Sequence, residues 1–189
     1  NIGLVNELAI MCKYLKVDVW EVIEAAATKP FGYMPFYPGP GLGGHCIPID
    51  PLYLSWKLKT LDYRARFIEL ADEVNSAMPS HVIMLIADAL NARRASINGA
   101  RILLLGVAYK KDIDDLRESP ALDIYDALRK RGARVSYHDP HIPDFIYEGG
   151  RVRSTPLTLA RLRAQDCVVI LANHSAIDYR RVVANAALV

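Results

Sequence analysis

The chain has 189 residues, 52% of them hydrophobic, and its 23 basic and 21 acidic side chains leave a net charge of only +2. That length and apolar content suffice to bury one large core or two small ones, and so balanced a charge excludes a cationic surface built for nucleic acid. No apolar run approaches the roughly 20 residues that span a bilayer, no signal-peptide pattern opens the chain, and three unclustered cysteines (Cys12, Cys46, Cys167) fit a reducing, cytoplasmic setting rather than a disulfide framework.

From Asn1 to Leu15, Ile2, Val5, Ala9 and Cys12 recur at helical spacing beside a second stripe of Leu4, Leu8, Met11 and Leu15. This predicts a largely buried helix, with Cys12 as a small core hydrophobe. The pattern opens without a cap or initiating methionine, and the chain stops in an apparent strand at Ala186-Ala187-Leu188-Val189, so a piece of a longer protein is expected. Asp18 and Glu21 form a capping box for a second helix from about Val19 to Ala27, closed by Lys29-Pro30.

The stretch from Phe36 to Pro51 organises the rest. It holds four glycines (Gly39, Gly41, Gly43, Gly44) and four prolines (Pro38, Pro40, Pro48, Pro51), a density that no helix or strand tolerates. Glycines let backbone approach a ligand and present its N–H groups, while prolines lower the entropy cost of holding the path. Cys46 sits at the end of this loop. Asp50-Pro51 reads as an N-cap and first-turn proline, which places the thiol at the positive end of a helix, where its nucleophilic thiolate form is favoured. Spacing alone leaves Cys46 open between a catalytic and a structural thiol, and Asp50 between a cap and an active-site carboxylate. A metal site is disfavoured because His45 and Cys46 are adjacent and no second pair has ligand spacing.

After a short helix from Pro51, Phe67, Ala71, Val74, Met78, Val82, Leu85 and Ala89 keep one helical phase, predicting a single long helix kinked at Pro79. About 30 residues would reach some 45 Å, the length of a connector or an oligomer seam. Ser96-Ile97-Asn98-Gly99 marks a boundary between a helical domain, residues 1–97, and an α/β domain, residues 98–189. In the latter, Ile102 to Val107 reads as a strand, Ser119-Pro120 caps a helix to Arg131, and Arg134 to Tyr137 is a second strand. Thr155-Pro156 starts another helix, Cys167 to Leu171 is a strand, Ile177 to Ala184 a helix, and Ala187 begins one more strand. This alternation predicts a parallel sheet with helices on both faces. No G-x-G-x-x-G follows the first strand. The charged loop from Asp112 to Glu118 lies instead at a strand's carboxyl end, where Lys110 and Arg117 serve either as phosphate partners or as solvated charges.

The words Gly39-Pro40-Gly41-Leu42-Gly43-Gly44-His45-Cys46-Ile47-Pro48-Ile49-Asp50-Pro51 and Gly106-Val107-Ala108-Tyr109-Lys110-Lys111-Asp112, followed by Leu116-Arg117-Glu118-Ser119-Pro120, resemble the UDP-glucose/GDP-mannose dehydrogenase family. The resemblance covers essentially the whole chain. It implies a helical central dimerisation domain followed by a Rossmann-like UDP-sugar-binding domain, without the amino-terminal NAD-binding domain and so without activity of its own. Family enzymes oxidise the C6 alcohol of a nucleotide sugar to a carboxylate with NAD, through a cysteine-bound thiohemiacetal and thioester.

By this resemblance Cys46 is the nucleophile and Asp50 assists it and the hydrolytic water. Tyr37, Pro38, Gly39, Pro40, Gly41, Leu42 and Gly43 wrap the UDP-sugar, with Tyr109 and Lys110 contacting it from the last domain. Cys46, Ile47, Pro48, Ile49 and Arg117 face the NAD. The family's partner-subunit arginine has no counterpart in Thr28-Lys29-Pro30-Phe31-Gly32, and the wording from Lys29 to Tyr37 is most similar to the UDP-N-acetylglucosamine subgroup. The readings to be separated from this one are a nucleotide-sugar-binding, self-associating module without catalysis, and a cysteine-dependent acyl transferase or hydrolase.

Overall fold

The computed structural model describes residues 1–189, and packing divides them into two units, residues 1–42 with 46–78 and residues 43–45 with 79–189. In the first unit, helix α1 (Ile2–Leu15) ends where Lys16 turns left-handed at φ 57°, the conformation that lets Lys16 and Val17 N–H groups return to the Lys13 and Cys12 carbonyls. Its buried face carries Gly3, Val5, Asn6 and Cys12. The second apolar stripe departs from the expectation of burial. Leu4 is 61% and Leu15 71% exposed, because no other element of this unit packs over that side. Helix α2 (Val19–Ala27) starts as read from the sequence, the Asp18 carboxylate accepting the Trp20 N–H at 2.8 Å.

Helix α3 (Asp50–Lys59) and helix α4 (Arg66–Asn91) are joined by a polar clasp. Glu69 accepts from Ser55 Oγ (3.1 Å), Lys59 Nζ (2.7 Å) and Arg64 Nε (2.7 Å). Hydrogen bonds from Lys59 and then Arg64 hold its carboxyl down at about 2. Helix α4 is 26 residues long with Pro79 inside it, about 39 Å at 1.5 Å per residue. It is shorter than the 30 residues expected, since its first turn begins only at Arg66. From Pro79 onward its residues belong to the second unit, where Ile83, Ile86 and Leu90 enter the core.

That core is built on strand β1 (Arg101–Leu105), flanked in parallel by β2 (Arg134–His138) and β5 (Cys167–Ile170) in the order β2-β1-β5. Side chains alternate across a strand, so β1 serves two layers. Ile102 and Leu104 pack with Ile124 and Leu128 of α5 (Pro120–Lys130) and with α4. Leu103 and Leu105 face Leu162 of α6 (Leu159–Arg163) and Val182 of α7 (Tyr179–Asn185). The parallel sheet with helices on both faces is therefore as the alternating pattern implied.

Several local expectations shift. The helix assigned to Thr155-Pro156 starts at Leu159, because Thr158 provides the cap, its Oγ1 accepting the Arg161 N–H. The Thr155 hydroxyl instead donates to the Tyr137 carbonyl at 2.8 Å. Helix α7 likewise begins two residues later than Ile177, behind an Asp178 cap that accepts from Arg181 N–H. No strand forms from Ala187, where a lone ladder-like bond runs from Val168 N–H to the Leu188 carbonyl. The hairpin β3 (Asp144–Tyr147) and β4 (Gly150–Arg153) was not anticipated. Its turn has Glu148 at φ 48° and Gly149 at φ 77°, the two successive positive values of a tight primed turn. It docks through Phe145 and Tyr147, which meet Tyr125 of α5 edge to face. No helix is long and apolar enough to cross a membrane.

Gly106 ends β1 at φ 78°, and a Cβ there would overlap the Ala172 carbonyl oxygen and lie 2.7 Å from Ala172 Cβ. Gly106→Ala combines left-handed strain with overpacking and is expected to cost about 2–4 kcal/mol. Urea unfolding would reveal this as a lowered midpoint, and an unchanged midpoint would refute the close approach.

Candidate active site

In the first unit the glycine–proline loop is anchored at its start by a buried amide pair. Asn6, fully buried on α1, accepts the Gly39 N–H on Oδ1 (2.9 Å), and its Nδ2 donates to Asn75 Oδ1 of α4 (2.9 Å). The Gly39 N–H can only donate, which fixes the orientation of the Asn6 amide. An unpaired amide at such depth would cost on the order of 1–3 kcal/mol, so the network holds the loop as well as satisfying itself. Asn6 was missed by sequence reasoning, since an asparagine in an apolar helix pattern carries no signal of its partner. Tyr37 stacks on Trp20 with ring centroids 5.8 Å apart, leaving 57% of its surface exposed.

The thiol end of the loop follows the same logic. The Cys46 carbonyl accepts the N–H groups of Ile49 (3.1 Å) and Asp50 (2.8 Å), closing the turn from which α3 springs. Two donors converging on that carbonyl start the helix one residue earlier than read. Ile49 occupies the N-cap position, Asp50 is the first helical residue, and no side chain caps the helix. Asp50 therefore does not act as the cap. Its exposed carboxylate lies in the first turn with Pro51, four residues from an exposed Cys46 thiol. Cys12 and Cys167 are buried, and burial pushes the Cys167 thiol up to about 11.

A cleft of about 430 Å³ in this unit is lined by Phe36, Leu42, Ile47, Pro48, Ile68 and Asn75 among others, so the residues on either side of the Gly43–Cys46 segment contribute to its wall. A larger cleft of about 500 Å³, at Tyr63, Arg64, Phe67, Glu69 and Glu73, contains none of the candidate residues.

In the second unit, the loop after β1 carries Tyr109 and Lys110, at the carboxyl edge where open α/β sheets take their ligands. Lys110 is exposed and makes no ion pair. Tyr109 is half-buried because Gly43 lies against it. A Cβ on Gly43 would overlap Tyr109 Cβ and come within 2.9 Å of the Glu118 carbonyl. Gly44, at φ 88°, donates its N–H to the Arg117 carbonyl at 2.8 Å. The glycines at 43 and 44 are thus required by contact with the chain itself. Arg117 is held by Asp115 through Nε (3.0 Å) and Nη2 (2.6 Å), and the arginine's hydrogen bonds keep the Asp115 carboxyl at about 2. The guanidinium is thereby aimed rather than swinging in solvent.

What holds this loop is a residue the sequence did not single out. Asp139, 3% exposed just beyond β2, gathers five donors on one carboxylate. Oδ2 accepts from Val107 N–H (2.7 Å), Ala108 N–H (3.0 Å) and His174 Nε2 (3.0 Å). Oδ1 accepts from His141 N–H (2.8 Å) and Ile142 N–H (3.1 Å). Burial pushes the Asp139 carboxyl up, but the backbone donors of Ala108, His141 and Val107 outweigh it and bring the group below its ordinary value. Because the folded value is depressed, the stabilisation is present at neutral pH and lost as acid titrates the carboxylate through that lowered value.

Residues 1–77 match the central domain of the UDP-glucose/GDP-mannose dehydrogenase family, and residues 103–189 match its UDP-binding domain. A UDP-N-acetyl-D-mannosamine dehydrogenase of Methanococcus vannielii is 35% identical over 175 residues, covering 93% of this chain and 38% of the relative. A UDP-N-acetyl-D-glucosamine 6-dehydrogenase of Pseudomonas aeruginosa is 35% identical over 177 residues, covering 93% and 41%. Among solved structures, a UDP-D-ManNAc dehydrogenase from Pyrococcus horikoshii superposes with a TM-score of 0.83 at 29% identity, covering 99% of this chain and 42% of that one. The chain thus spans about two fifths of the length of these relatives. With both of its segments matched in order, the chain belongs to the UDP-glucose/GDP-mannose dehydrogenase family.

Proposed function

We propose that this chain is the substrate-binding and self-associating part of an NAD-dependent UDP-sugar 6-dehydrogenase, which converts the C6 alcohol of a UDP-hexose to the uronate with Cys46 as covalent catalyst. The observation that carries the reading is the exposed Cys46 thiol, at the turn into α3 and at the end of a loop pinned by Asn6. The names of the relatives favour a UDP-N-acetylhexosamine, the glucosamine or mannosamine form, over UDP-glucose.

By the family resemblance Ile47, 59% exposed beside Cys46, and Arg117, held by Asp115 in the other unit, are each contacts for NAD. The chain has no dinucleotide fingerprint of its own. NAD, when bound, supplies the hydride acceptor for both oxidations. Cys46 and Asp50 carry the covalent steps between and after them. Once the alcohol has become an aldehyde, the Cys46 sulfur adds to C6, a C–S bond forms, and the carbonyl oxygen takes a proton to give the thiohemiacetal. Oxidation of that adduct leaves a thioester. Water then adds to it with Asp50 receiving the water proton, the C–S bond breaks, and the thiolate and carboxylate are released. A covalent intermediate keeps the aldehyde from escaping between the two oxidations and divides a four-electron change into two steps. Lys110 and Tyr109 hold the UDP-sugar from the loop after β1, and residues Tyr37 to Gly43 wrap it with backbone groups.

Apolar surface left uncovered in the first unit supports self-association. Leu4, Tyr14, Leu15, Trp56 and Phe67 are each more than 60% exposed, more than a lone helical unit ordinarily leaves in water. A homodimer or a higher homo-oligomer covers such faces.

In an enzyme that joins these residues to a dinucleotide-binding domain, Cys46→Ala is expected to lower NADH formation with UDP-N-acetylhexosamines by roughly 10⁴-fold. Activity that survives loss of the thiol overturns the mechanism, and ester hydrolysis without NAD would favour a hydrolase. Lys110→Ala is expected to weaken UDP binding about tenfold by calorimetry through loss of a charge-assisted contact; unchanged affinity would remove Lys110 from the site. Light scattering of the chain should give at least twice the 21.1 kDa of one copy, and a monomeric mass would contradict self-association.

A further inference from the structure

His174 is fully buried and has so far been given only its bond to Asp139. It follows β5 in the chain and stands between two partners that permit only one arrangement of its ring protons. The Asp112 N–H donates to Nδ1 at 2.9 Å. A backbone N–H cannot accept, so Nδ1 carries no hydrogen, and the single ring proton sits on Nε2, which donates to Asp139 Oδ2 at 3.0 Å. Asp139 holds the Val107 and Ala108 N–H groups at the start of the loop after β1. Through the imidazole, the same carboxylate also holds Asp112 at its far side. Asp112 is at φ 58°, and its carboxylate accepts Ser175 N–H and Oγ, each at 2.7 Å. Tyr109 and Lys110 lie between these anchors.

Asp112, His141 and His174 also bring three potential metal-ligand atoms within 4.8 Å of one another. They do not make a metal site, because the Nδ1 lone pair is occupied by the Asp112 N–H and the Asp112 carboxylate by Ser175. His141 Nε2 is sealed from solvent without a partner, and at 3.8 Å from Asp112 Oδ1 it is too far for a hydrogen bond.

We infer that Asp139 and His174 act as positioning residues, a carboxylate–imidazole relay locked in the Nε2–H tautomer that fixes the backbone of residues 107–112 and so presents Tyr109 and Lys110 to the diphosphate of the ligand. The part concerning the ligand rests on the reading of this loop as a nucleotide-sugar contact. The two bonds of the ring can be separated. An asparagine at 174 keeps an acceptor oxygen where Nδ1 stood and loses the donor to Asp139, whereas a glutamine keeps a donor where Nε2 stood and loses the acceptor for Asp112.

The test joins ring-nitrogen NMR on the wild-type chain with amide hydrogen exchange and calorimetric titration of UDP on His174→Asn and His174→Gln. The wild-type ring is expected to show a bare Nδ1 at neutral pH. In His174→Gln the Asp112 amide should exchange at least about tenfold faster and UDP should bind about tenfold more weakly, while in His174→Asn the Asp112 protection is retained. A proton on Nδ1 in the wild type, or equal Asp112 exchange in the two variants, would overturn the relay; the wild-type spectrum decides even if a variant fails to fold. Wild-type protein that does not bind UDP overturns the ligand reading of the loop, while the ring spectrum and the exchange still judge the relay.

Discussion

One buried carboxylate sets the geometry of the loop that leaves the sheet unit's carboxyl edge. Parallel strands leave their carboxyl ends with N–H groups and carbonyls that no neighbour satisfies, and a loop leaving such an edge needs partners from elsewhere. Asp139 supplies them to Val107 and Ala108 at β1's exit, to its own following turn, and to His174. An ionised carboxylate at this depth is tolerable only because five donors surround it, and those donors in turn have no other acceptor. Loop and anchor therefore require each other.

The helical unit solves a similar problem with neutral groups. The Phe36–Pro51 loop has too many prolines and glycines for a ladder of its own, so single well-placed acceptors hold it. These are Asn6 Oδ1 for Gly39 and the Cys46 carbonyl for the turn into α3. The two glycines that lie in the other unit are small because Tyr109 and the Glu118 carbonyl crowd Gly43, and because Gly44 takes a positive φ. Flexibility is thus not what glycine contributes here. It contributes close approach, and the result is an exposed thiol on a defined turn.

Much of this was legible in the residues. The unbroken apolar run from Ile102 to Leu105, the Ser119-Pro120 cap and the Asp18 cap are local signals, and each forms the element it implies. Caps failed where two candidates compete within a few residues. Thr155 lost to Thr158 because the Tyr137 carbonyl claims its hydroxyl, and Asp50 lost to Ile49 because Cys46 turns the chain early. The division of α4 between units is invisible in its single helical phase, since phase reports which face is apolar and not what covers it. Asp139, His174 and Asn6 were illegible for a related reason. Their roles are set by partners 31 to 69 residues away, and no short-range pattern encodes them.

The helical unit's reactive turn and the sheet unit's loop carry different halves of one proposed chemistry, covalent capture and diphosphate recognition. Capture can be watched without any oxidation. A UDP-N-acetylhexosamine bearing an aldehyde at C6, labelled there with carbon-13, would be titrated into the chain and into Cys46→Ala, and the labelled carbon followed by NMR. A thiohemiacetal carbon that appears with the wild-type chain and is absent from the variant is the result expected. Aldehyde and hydrate signals alone, identical in both proteins, would contradict covalent catalysis at this cysteine.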